Sequence, residues 1–137
     1  MISAATSAIA LSGALSQVNQ VSVAAANLAN QQSVGALPTT VGTAARSTAY
    51  QPVAAGTVSL GSSGGVTTAY RPVTPAFLPD YQPNAPTANP DGLVAAPNVD
   101  ATQNLLTLKT ATSAYQTNLA VIKTTDQMTR DVLRMTA

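Results

Sequence analysis

The chain has no cysteine, no histidine, no glutamate and no tryptophan. Without cysteine there are no disulfides, no thiolate metal sites and no thiol catalysis. Without histidine and glutamate most general bases, nucleophile activators and zinc ligands are missing as well. The acids that remain, Asp80, Asp91, Asp100, Asp126 and Asp131, show no paired spacing. The glycine-rich run 61–65 is followed by neither a lysine nor a helix signal, so it makes no phosphate cradle. These residues offer no catalytic, cofactor-binding or metal site, and the sequence argues against an enzyme.

Charge is scarce too. Charged residues are 8% of the chain, against about 25% in an average soluble protein, which points to surfaces that end up against other protein. Six basic and five acidic groups form no basic stripe, so nucleic acid has no electrostatic footing as a partner. Apolar content reaches 45%, but much of it is alanine, and Phe77 is the single phenylalanine. Large side chains dominate core energetics, so one small core is expected. The segment before Arg46 is uncharged. It lacks the basic n-region of a secretory signal, and serines and amides interrupt the apolar run that a membrane span of about 20 residues needs. The expectation is a protein that does not span a membrane and, if exported, leaves without a cleavable signal.

What is present is unevenly placed. All nine prolines and seven of the eight glycines lie between Gly35 and Pro97, leaving both ends to helices. In the first segment Ser7, Leu11, Ala14, Val18, Val21, Ala25 and Leu28 step by four and three, the heptad spacing that keeps one stripe toward a partner helix. Ile2, Ile9, Leu15 and Val23 fall off this stripe, so more than one face wants cover. Gly13 weakens the helix by about 1 kcal/mol relative to alanine. Residues 30–35 read as its exit. In the last segment Asp100 is a good N-cap, with Gln103 at capping-box spacing. The stripe that follows runs Leu105, Leu108, Ala111 or Thr112, Tyr115, Leu119 and Ile122, then after a slip Thr125, Met128, Val132 and Met135. A helix is expected from about Asp100 to Leu133.

The middle looks irregular. Residues 50–53, 57–60 and 66–71 are short β-like runs rich in threonine, valine and tyrosine. Residues 61–65 make a plausible hairpin connection. Seven prolines between Pro72 and Pro97 forbid a helix and demote any strand to an edge, so this stretch is expected to run extended over a surface, turning at Pro90–Gly92. The predicted fold is mainly α: two long terminal helices in a coiled-coil-like pair, and an irregular proline- and glycine-rich middle holding a short β-hairpin. The expected organisation is 1–30, 31–98 and 99–137, with the two terminal segments as an assembly core.

Three runs resemble a known family. Residues 25–30, Ala-Ala-Asn-Leu-Ala-Asn, resemble the close of the N-terminal helix in flagellar basal-body rod and hook proteins. Residues 91–100, Asp-Gly-Leu-Val-Ala-Ala-Pro-Asn-Val-Asp, resemble a stretch of the proximal-rod members, with Leu93 where they carry an aromatic. Residues 113–118, Ser-Ala-Tyr-Gln-Thr-Asn, are similar to a Tyr-Gln-Ala-Asn-like run there. Residues 36–90 carry little of the likeness. The resemblance implies a structural subunit of the basal-body rod, in the periplasmic space. It implies type III export without a cleaved signal, and a helical tube that transmits torque from motor to hook. Implied partners are other copies, other rod subunits and the flagellar export apparatus. Implied interface residues are Leu11, Val18, Val21, Asn27, Leu28, Asn30, Leu105, Leu108, Tyr115, Leu119, Ile122, Met128 and Val132. Asn27 and Asn30 would pair with groups of adjacent subunits; the plainer alternative has Asn30 ending the helix and Asn27 facing solvent. From the residues alone, a subunit of another secretion or tail tube and a secreted monomeric binding module stay open.

Overall fold

The structure is a computed structural model and describes residues 2–38, 47–61 and 64–136. Helix α1 spans Ile2–Ala29, followed by strands β1 (Val53–Ser59), β2 (Val66–Pro72), β3 (Phe77–Tyr81) and β4 (Leu93–Pro97), and helix α2 spans Ala101–Thr136. The helices run antiparallel. Asn27 near the end of α1 meets Asn104 in the first turn of α2, and Gly13 midway along α1 lies against Asn118. A Cβ at Gly13 would come 3.0 Å from the Asn118 amide. The helix weakness read from Gly13 is therefore the condition for close approach of α2.

Helix α2 starts where the sequence says it should. The Asp100 carboxylate accepts the Gln103 N–H at 2.9 Å, satisfying one of the free donors of the first turn. Removing that acceptor with Asp100→Ala is expected to cost about 1 kcal/mol, read as a lowered urea midpoint at unchanged slope.

Strands β1 and β2 pair antiparallel from Val53↔Pro72 to Ser59↔Val66, forming the expected hairpin; Ser62 and Ser63 of its predicted connection lie outside the described residues. The first strand is longer than expected, because Ala54, Ala55 and Gly56 bridge two runs that read as separate. The hairpin packs on α1, so α1 is flanked by α2 on one side and by β1–β2 on another.

The irregular middle is the part of the prediction that fails. Strands β3 and β4 form a second antiparallel sheet, so the fold is two helices plus two small sheets rather than helices with a loose connector. Pro79 sits inside β3 opposite Ala95, and the reason it is tolerated is local. The N–H and C=O of Ala95 point the other way, to Gly35, at 2.8 and 3.0 Å. The Pro79 position therefore has no ladder donor to supply, and the missing N–H costs nothing. Pro72 and Pro97 each end a strand. Nor does the whole stretch run over a surface: Val94 and Ala95 are completely buried, and β4 lies between β3 and the Gly35 segment. The turn at Pro90–Gly92 is present. Gly92 has φ +75°, and a Cβ there would lie 2.8 Å from the Tyr81 ring; the Asn89 side chain accepts the N–H groups of Asp91 and Leu93.

Candidate subunit interface

The contact between the helices is built from small and polar side chains. Ala10, Ala14, Ala24 and Ala111 are buried, Gly13 meets Asn118, and Asn27 bonds Asn104. Close approach needs such residues, and they leave many of the large aliphatics of the helices exposed. The outward face of α1 reads Ala4, Ala8, Leu11, Leu15, Val18, Ser22, Ala25 and Ala29, every one exposed. Its steps are four and three throughout, the spacing of a helix-facing seam. No charge interrupts it, because α1 has none. Leu11, Leu15 and Val18 are 50%, 57% and 48% exposed.

This row is the neighbour of the one read from the sequence and shares Leu11, Val18 and Ala25 with it. Ala14 of the predicted row is buried, and Val21 and Leu28 are half-buried. Leu15, left off the predicted stripe, is on the free face. A heptad pattern cannot choose between two adjacent rows with the same period. The signal that separates them is the clustering of Ala10, Gly13, Ala14 and Ala24, which marks the side where another helix comes close.

On α2 the predicted stripe straddles the helix contact. Leu108, Tyr115 and Ile122 are half-buried, whereas Leu105, Leu119, Met128 and Val132 are exposed. Exposed Leu106, Leu133 and Met135 enlarge the uncovered apolar surface. The row along α2 through Asn104, Leu108, Ala111, Tyr115, Asn118, Ile122 and Thr125 is the less exposed side. Asp131 and Arg134 form an ion pair 3.9 Å apart on an exposed face of α2.

Within the chain the two asparagines hold distinct positions. Asn27 is buried, at 4% exposure. Its amide nitrogen donates to the Val53 carbonyl at 2.8 Å and to Asn104 Oδ1 at 3.1 Å. Its Oδ1 accepts the Tyr50 hydroxyl at 3.0 Å and the Val53 N–H at 3.2 Å. All four positions of the amide are used within this chain, tying α1 to α2, to β1 and to the segment before it. Asn30 donates from its side chain to the Ala26 carbonyl at 2.9 Å, the same oxygen that accepts its own backbone N–H at 3.1 Å. Local residue patterns do not point to Tyr50, Val53 or Asn104 as partners of Asn27, because these contacts join distant segments.

Residues 91–135, from the Gly92 turn through almost all of α2, match the family described as flagellar basal body rod FlgEFG protein C-terminal. Two curated relatives, from Escherichia coli O6:H1 (strain CFT073) and Escherichia coli O157:H7, each carry the name flagellar basal-body rod protein FlgC. Each is 34% identical to this chain over 123 residues, covering 88% of it and 87% of the relative. The chain belongs to the FlgC family of flagellar basal-body rod proteins. It is a structural rod subunit of the flagellar basal body. Within the FlgC-family frame the run 91–100 has a structural meaning. It carries the turn at Gly92, the buried strand β4 and the cap of α2 in one piece. Asn98 secures it, donating its backbone N–H to the Ala76 carbonyl at 2.9 Å and its side-chain amide to the Pro75 carbonyl at 2.9 Å. No helix among the described residues is long and apolar enough to cross a membrane.

Proposed function

We propose that this rod subunit assembles with other copies of itself and with other rod subunits through the outward faces of α1 and α2. The product is a helical tube in the proximal rod that carries torque from motor to hook. The observation that carries the reading is the exposed, uncharged heptad row from Ala4 to Ala29. Contiguous apolar surface of this kind is characteristic of an interaction site, and its spacing suits another helix. The exposed Leu105, Leu119, Met128 and Val132 of α2 supply a matching surface. A tube gives each helix neighbours on several sides, as the small intramolecular contact requires. Segments 1–30 and 99–137 then form the assembly core, with 31–98 on the outside. Export through the flagellar apparatus without cleavage accords with the uncharged, amide-interrupted α1.

The test is site-specific photo-crosslinking in motile cells. A photoreactive side chain at Leu15 or Leu119 is expected to join the subunit to another copy or another rod subunit in isolated basal bodies. The same group at Ala14, which faces inward, is expected to give none. Crosslinks confined to the monomer at all three positions would overturn the proposal.

A further inference from the structure

The β1–β2 hairpin lies on α1 through a layer of hydroxyls and amides. Ser16 Oγ and Thr57 Oγ1 are 3.1 Å apart, and the Thr68 hydroxyl donates to Ser16 Oγ at 3.2 Å. The Asn19 amide donates to Thr68 Oγ1 at 3.2 Å, and the Gln20 amide to Thr57 Oγ1 at 2.9 Å. Nearer the tip, the Val66 N–H donates to Ser12 Oγ at 3.1 Å. Each of these groups bonds equally well to water, so the net gain from any one is small. Apolar cover is thin, since Val53, Ala55 and Val66 are only half-buried.

The base of the hairpin is held differently. Asn27 grips both the N–H and the C=O of Val53. Pro52 beside it is fully buried, and the Val73 N–H closes on the Pro52 carbonyl at 3.1 Å. Both strands therefore meet the body at a firm, proline-marked base, while beyond it the hydrogen bonds are exchangeable and apolar contact is limited, chiefly Ile9 beside Gly64 and Val66.

We propose that the β1–β2 hairpin is a flap. It lifts from α1 as an intact two-stranded unit, pivoting on the Asn27–Val53 clamp, while the helix pair stays closed. Opening exchanges the Ser16, Thr57 and Thr68 bonds for water and bares the polar face of α1 from Ser12 to Gln20. It gives the outer hairpin freedom to reposition without disturbing α2. Local opening of this kind belongs to regions with few buried apolar contacts.

The absence of cysteine makes the test clean. Ser16 under the flap and Ala14 between the helices are both 2% exposed, so single S16C and A14C variants of the full chain report the two openings separately. Labelling with a thiol reagent in native buffer is expected to be at least tenfold faster for S16C, with a weaker dependence on urea. Because S16C removes part of the hydroxyl layer, hydrogen exchange on the unmodified chain is the second measurement. The Val66 N–H is expected to exchange at least tenfold faster than the clamped Val53 N–H, after correction for intrinsic rates. Equal labelling of S16C and A14C overturns the flap. So does fast S16C labelling with equal exchange at Val66 and Val53, which traces opening to the substitution. Fast exchange at Val66 without preferential labelling of S16C also rejects it, since then only the tip frays.

Discussion

A chain carrying Leu15→Asp and Val18→Asp folds like the parent and fails to assemble. Both side chains project from α1 into solvent, about half of each exposed, so the monomer loses little. Aspartate in place of leucine or valine in a helix interior costs at most about 0.7 kcal/mol each in propensity. The polymer loses far more. Burying an unpaired carboxylate costs several kcal/mol, and α1 offers no cation to pair with it. At 1.4 kcal/mol per decade, assembly is expected to weaken at least 100-fold. Circular dichroism and a urea titration report the monomer; motility and electron microscopy of basal bodies report the rod. Intact rods in swimming cells would remove the outward row from the interface.

The adjacent residue makes the comparison sharp. Ala14 is next to Leu15 in the chain but buried against the body of the subunit, so Ala14→Asp destabilises the monomer itself, by several kcal/mol. Neighbouring substitutions with the same charge thus fail at different stages, one at folding and one at assembly. Both stopping assembly with folded monomers intact would mean that the inward and outward sides of α1 are misassigned.

How much of this was legible beforehand follows the range of each interaction. The helices, the Asp100 cap, the Gly92 turn and the first hairpin rest on neighbours in sequence, and the residue pattern carried them. The second sheet was not legible because β3 and β4 pair across an intervening proline-rich run, and the bridge on the far side of β4 joins Ala95 to Gly35, far apart in the chain. The proline count then misled, since whether Pro79 breaks a strand depends on which way Ala95 points. Which row of α1 faces outward was not legible for a related reason: two heptad rows fit its apolar residues, and only the position of α2 selects between them. The resemblance at residues 25–30 singled out Asn27 and Asn30 but suggested outward pairing. In the folded chain Asn27 is buried and bonds α2 and β1, and Asn30 bonds the last turn of its own helix.

Asn27→Ala is expected to lower the subunit's own stability by about 3–5 kcal/mol. The side chain is a junction rather than a single contact. Its loss leaves the Val53 N–H and C=O, the Tyr50 hydroxyl and Asn104 Oδ1 without their partner. A typical hydrogen bond contributes roughly 1 kcal/mol net, and a buried group left unsatisfied costs about 1–3 kcal/mol. Relaxation and water entry at the part-buried site recover some of the sum, which sets the expected range. Asn104→Ala removes one of the four contacts together with its own bond to the Asp100 carbonyl and should cost about 1–2 kcal/mol. In the double variant the two losses are expected to be non-additive, because the Asn27–Asn104 bond is counted in both single variants and residues in one network couple. Urea denaturation of the four chains measures the cycle. A fully additive double variant, or an Asn27→Ala loss below about 1 kcal/mol, would show that the junction is water-replaceable. The fixed base on which the hairpin pivots would then be lost with it.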